Sequence, residues 1–121
     1  MPVPPQSVRN NARRGLELRR EHGRGGTEVG VARARDLARG ADIPIATLRR
    51  MVSFFARHEK SSKGGQGWSP GEEGYPSAGR IAWLLWGGDS GKSWANAEVN
   101  KADKNAGEPD MFKNTFLRFE S

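Results

Sequence analysis

The chain has 121 residues, with 20 Lys+Arg against 14 Asp+Glu, a net charge of +6, two histidines and no cysteine. That length suits one domain, and 35% hydrophobic residues with 16 glycines imply a small core and generous loops. The absence of cysteine excludes disulfides, thiolate nucleophiles and thiolate-bound metal sites, and His22 with His58 cannot make a multi-histidine site, so no cofactor or metal is expected.

Pro2, Pro4 and Pro5 predict an extended arm over residues 1–6. Ser7 is then placed to cap a helix over Val8–His22, stopped by Gly23. Val8, Ala12, Gly15 and Leu16 share its apolar face, and Arg9, Arg13 and Arg20 share the opposite flank. Thr27 is the next N-cap, opening a helix to Arg39 that ends at Gly40. Its stripe is Val31, Ala34, Leu37 and Ala38, which leaves Arg33, Arg35 and Arg39 outward or flanking. Ile43-Pro44 starts a third helix, since proline is tolerated in a first turn. Ile45, Leu48, Val52 and Phe55 repeat at helical spacing and carry it to about His58.

Residues 60–76 read as a long glycine-rich loop pinned by Trp68 and Tyr75. Ser77–Trp86 is apolar nearly all round (Ile81, Ala82, Trp83, Leu84, Leu85), which predicts a central core helix. After Gly87-Gly88, Asp89 caps a fifth helix to about Lys104. No segment reads as a strong strand, so the expected fold is all-α: a compact bundle of about five helices in one domain, 7–106. The segment 107–121 carries Phe112, Phe116 and Phe119 at spacings of four and three. These favour a short amphipathic helix over a strand, one that either closes the domain or docks on a partner or second copy, giving a homo-oligomer.

The charge is unevenly placed. Residues 1–60 hold twelve arginines and one lysine against six acidic side chains, whereas residues 61–121 are net −1. Arginine's planar fork of donors suits phosphate oxygens and guanine edges, so the basic half reads as a polyanion-binding face. Arginine-rich codon usage and plain solvation are the bland account of the same residues.

The stretch Leu37-Ala38-Arg39-Gly40-Ala41-Asp42-Ile43-Pro44-Ile45-Ala46-Thr47-Leu48-Arg49-Arg50 resembles the corner of bacterial and phage helix-turn-helix repressors. A small residue, Ala38, would let two helices cross closely while Ile43 and Leu48 fill the angle between them, presenting the second helix to a major groove. The resemblance implies that Thr47, Arg49 and Arg50 reach phosphates or base edges, with Arg57 further along. Ile45, at a position normally polar, and the early Gly40 depart from the pattern.

Three stretches give a wider resemblance: Val29–Ala38, Leu48–Glu59 and Gly79–Ala95, the last reading Gly-Arg-Ile-Ala-Trp-Leu-Leu-Trp-Gly-Gly-Asp-Ser-Gly-Lys-Ser-Trp-Ala. Together, over roughly residues 7–100, they are similar to a small uncharacterised domain of tailed-bacteriophage and prophage proteins, found alone or joined to head-assembly proteins. The resemblance implies a viral origin and a head, packaging or DNA-associated role.

Other motifs have plainer readings. Gly87–Ser93 invites comparison with a phosphate loop, but Trp86 stands where the first glycine is required and a helix precedes it. The expectation there is a helix stop, an Asp89 cap and a solvated Lys92. His22, His58 and the pair Glu72-Glu73 read as solvated surface, and Trp83, Trp86 and Trp94 read as core rather than base-stacking platforms. With no nucleophile–base or metal constellation, an enzyme is not expected.

The leading expectation is therefore a phage-type module binding duplex DNA through Arg9, Arg13, Arg20, Arg33, Arg35, Arg39, Thr47, Arg49, Arg50 and Arg57. Non-specific backbone contact would suffice for it. The alternative is a virion or head-assembly protein meeting acidic phage head or packaging partners. No apolar run is long enough for a membrane span and no signal-peptide pattern opens the chain, so the expected location is the host cytoplasm or the virion, without secretion or membrane contact.

Overall fold

A helix of only eight residues, Ala78–Leu85, touches all four of the other helices. Ile81, Trp83, Leu84 and Leu85 are buried along it, as its nearly uninterrupted apolar sequence requires. The computed structural model describes residues 2–107, within which the elements are α1 (Gln6–His22), α2 (Glu28–Ala38), α3 (Ile45–Lys63), α4 (Ala78–Leu85) and α5 (Gly88–Gly107), with no strand. The fold is all-α, and none of these helices is long and apolar enough to cross a membrane. The segment carrying Phe112, Phe116 and Phe119 lies outside the described residues.

α1 packs on both α2 and α4. Its contact with α4 is a backbone approach: a Cβ on Gly15 would stand 2.7 Å from the Leu85 nitrogen and 3.0 Å from the Leu84 carbonyl carbon. Val8, Ala12 and Leu18 bury with Gly15, while Leu16 is only half-buried. Pro5, not Ser7, occupies the N-cap, so Ser7 lies inside the helix with no capping role. The extended arm before it is fastened: Pro4 is buried, and the Pro2 carbonyl accepts the Ile43 N–H at 2.9 Å.

The predicted stops around α2 are met. Gly23 closes α1 in the left-handed region at φ 64°, and the Thr27 hydroxyl accepts the Gly30 N–H. Beyond α2, the Gly40 N–H donates to Leu37 and the Ala41 N–H to Asp36. This Schellman closure needs the positive φ of 73° that glycine provides at position 40.

α3 departs from expectation in two ways. Its buried face is Thr47, Leu48, Met51, Phe54 and Phe55, rotated from the predicted stripe so that Ile45 is 38% exposed. It also continues to Lys63, because no glycine interrupts it before Gly64 and Lys63 pairs back to Glu59 at 3.4 Å. The loop therefore begins at 64. Glu72 organises it, its carboxylate accepting the Gly67 and Trp68 N–H groups at 3.0 and 2.9 Å. Trp68 packs edge-on to Trp83, and the Arg80 guanidinium lies 4.7 Å from the Trp68 ring.

The α2–α3 corner is open. No Cα of α2 comes within 8 Å of one in α3, so Ala38 does not serve a close crossing of the two. An aromatic wedge stands between them: Trp86 stacks on Phe54 at 4.7 Å and 9°, and a Cβ on Gly30 of α2 would lie 3.2 Å from the Trp86 Nε1. The two helices are joined through α4 rather than to each other.

The α1–α4 contact is the tightest test of this arrangement. Gly15→Ala should lower stability by about 1–3 kcal/mol, since the clash is with backbone that cannot rotate away and outweighs alanine's better helix propensity. Urea unfolding followed by circular dichroism measures it, and a variant as stable as the parent would mean that α1 and α4 stand further apart.

Candidate functional site

The predicted arginines divide into two groups. On α1, Arg9 and Arg13 turn toward the end of α2: the Arg9 guanidinium is where a Cβ on Gly40 would touch it at 3.1 Å, and Arg13 reaches the Ala38 carbonyl at 3.4 Å. Both thus sit at the negative end of a helix dipole, where a cation is favoured. Arg39 pairs with Asp36 at 3.0 Å. Arg20 and Arg35 are exposed and have no acidic partner among the described residues.

The second group gathers on α3. Arg50 and Arg57, seven residues apart and therefore nearly in line along the helix, are exposed with no acidic partner among the described residues. Arg49 is exposed too but engaged, donating to both carboxylate oxygens of Asp103 on α5. That bond holds the Asp103 carboxyl below its ordinary value and raises the Arg49 guanidinium. Thr47 does not belong to the site. It is 9% exposed and faces the core, because the buried stripe of α3 includes the position the helix-turn-helix pattern assigns to a reading residue.

Beneath Arg50 and Arg57 lies a groove of about 670 Å³ between α2 and α3, created by the aromatic wedge. Phe54, Ala82 and Trp86 form its floor, and Val29, 56% exposed, forms the α2 wall. Beside Val29, Arg33 lays its guanidinium 5.8 Å from the centre of the Trp86 ring, with its side chain 13% exposed and Asp36 3.7 Å away. His58 tilts against Phe54 at 4.7 Å. Three arginines and one histidine line the groove and no carboxylate does. The groove pairs an apolar floor with a cationic rim, a surface for a ligand that is both anionic and partly apolar. No residue of α1 lines it, so the ten predicted residues form no single face.

Val29, Phe54, Ala82 and Trp86 were not expected as site residues. Val29 alone left a trace in the sequence, an apolar residue off the predicted stripe of α2. Trp86 and Phe54 are buried, and burial by itself does not distinguish a groove floor from a core.

The Gly87–Ser93 stretch is a structural junction. The first residue of α5 is Gly88, so Asp89 is not its cap. Instead the Asp89 carboxylate accepts the Trp83 indole N–H at 2.9 Å and the Lys63 ammonium at 3.0 Å. Lys92, expected in solvent, bonds Glu59 of α3 at 2.6 Å. The two carboxylates thereby tie the end of α3 to the start of α5. Among the described residues no three His, Asp or Glu side chains gather at metal-binding distance. No protein-family model matches the chain, and neither a curated protein nor a solved structure matches it significantly.

The junction carries a pH signature. The Lys92 bond, with help from Lys63, holds the Glu59 carboxyl below its ordinary value. Burial pushes Asp89 up, but the bonds from Lys63 and Trp83 outweigh it and leave it low. Both shifts are downward, so their stabilisation is complete above the usual carboxylate range, about pH 4, and is lost as pH falls through and below it. Thermal midpoints measured from pH 7 to pH 2.5 should therefore fall more steeply for the parent than for Glu59→Gln/Asp89→Asn. Identical acid limbs would remove the junction from the account.

Proposed function

We propose that the protein binds duplex nucleic acid without reading its sequence, through phosphate contacts made by the arginines of α3. The observation that carries this reading is the ridge of Arg50 and Arg57: two exposed guanidinium groups in line, with no acidic partner among the described residues and no carboxylate in the groove below. Two turns of helix separate them by about 10 Å, and such a ridge follows a backbone without entering a base-specific register. Thr47 and the open corner argue against a recognition helix of the repressor type, and backbone contact does not need one.

A second reading is favoured by the apolar floor, which a phosphate backbone does not use. In it the protein is a structural component of a virus particle, meeting acidic partner proteins through the same arginines.

Fluorescence anisotropy of a labelled DNA duplex titrated against salt tests the first reading. Arg50→Ala/Arg57→Ala should flatten the plot of log affinity against log salt by about 2, near 0.9 for each lost phosphate contact. Asp103→Asn should do the opposite. It frees Arg49 at a stability change of about 0–1 kcal/mol, ordinary for an exposed ion pair, and steepens the slope by about 1. Absence of binding at about 50 mM salt would overturn the proposal and leave the structural reading.

A further inference from the structure

We propose that Ser53 is a phosphate-binding residue, whose hydroxyl donates to a backbone phosphate held between Arg50 and Arg57. The proposal rests on the nucleic-acid reading above and deepens it, adding to the ridge an uncharged contact that fixes where one phosphate sits.

The position follows from helix geometry. At 3.6 residues per turn, Ser53 lies about 40° around α3 from Arg49 and from Arg57, and about 60° from Arg50. Along the axis it stands about 4.5 Å beyond Arg50 and about 6 Å before Arg57. Ser53 is exposed and lines the groove together with these three arginines. A phosphate resting on its hydroxyl can be reached by two long guanidinium side chains, one from each side, neither with an acidic partner among the described residues. No carboxylate lines the groove to compete for them.

The hydroxyl has no task inside the fold. Serine within a helix commonly bonds back to a carbonyl three or four residues earlier, as Ser61 of the same helix does with His58 at 3.3 Å. Ser53 makes no such bond among the described residues. At an exposed helical position serine is also a poorer helix former than alanine, so the packing of α3 does not call for it. A short neutral donor between two long cationic ones suits a tetrahedral oxyanion: the arginines supply the charge and the serine the close contact.

Charge and hydrogen bonding separate in a salt titration of duplex DNA binding, followed by fluorescence anisotropy. Ser53→Ala should weaken binding about three- to tenfold while leaving the slope of log affinity against log salt unchanged, because a neutral donor releases no counterion. Its thermal midpoint should be at least that of the parent, so the loss is not one of folding. Ser53→Thr, which keeps the hydroxyl, should restore most of the affinity. In an Arg57→Ala background Ser53→Ala should cost less than about twofold, because the shared phosphate is no longer clamped. An equal cost in both backgrounds, or a loss that threonine does not rescue, overturns the proposal. A parent that does not bind removes it together with the nucleic-acid reading, whereas binding that Ser53→Ala leaves unchanged removes Ser53 alone.

Discussion

The stack of Trp86 on Phe54 is the contact on which the working surface of this protein depends. It sits where α2 and α3 would otherwise close on each other, and no Cα of one comes within 8 Å of a Cα of the other. Two helices joined by a short connection lose exposed apolar area by packing together. Here that gain is taken by α4 instead, which buries its apolar face against both of them and offers one edge of Trp86 to the outside. The groove is the geometric consequence, and the arginines of α3 acquire a common outlook only because the corner stays open.

α4 can do this because it is short and because α1 comes so close to it. With glycine at position 15, the α1 backbone lies against Leu84 and Leu85, so one face of α4 is satisfied with little side-chain volume. The remaining faces are left for the large residues, Trp83 toward α3 and the loop, Trp86 toward α2 and α3. The charged junction of Glu59, Lys63, Asp89 and Lys92 then fixes the direction in which α5 leaves α4. None of these pairs is deeply buried, and each alone would contribute little. Shared among two carboxylates and two ammonium groups on two elements, they act as a register for antiparallel packing of α3 and α5.

The helical architecture was legible in the sequence because its punctuation is local. Gly23, Thr27, Gly40 and Ser77 each perform the capping or stopping role that their chemistry dictates. Apolar runs identify α4 as central for the same reason. The site was less legible. Ile45, Leu48, Val52 and Phe55 offer α3 one apolar stripe and Thr47, Leu48, Met51, Phe54 and Phe55 an adjacent one, and only the neighbours decide that the second is buried. Ile45 and Thr47 exchanged their expected roles accordingly. Long-range pairs such as Arg49 with Asp103, or Lys92 with Glu59, leave no mark in local spacing. The openness of the corner is likewise a property of Trp86, more than forty residues beyond it.

Net charge taken along the chain also overstated how much positive surface is available. The arginines of the first half serve three different purposes. Arg9 and Arg13 meet the carbonyl end of α2, where Arg13 donates to the Ala38 carbonyl and both positive charges face the negative end of the helix dipole. Arg33 places its guanidinium 5.8 Å from the centre of the Trp86 ring, a use that suits a planar delocalised cation better than an ammonium. Arg50 and Arg57 remain in solvent. A lysine could replace the last pair with its charge intact, whereas the first two uses depend on arginine's shape. The arginine bias of this half is thus explained in part by construction of the fold, and the charge left for a partner is smaller but better placed: a short ridge on α3 above a groove that contains no carboxylate.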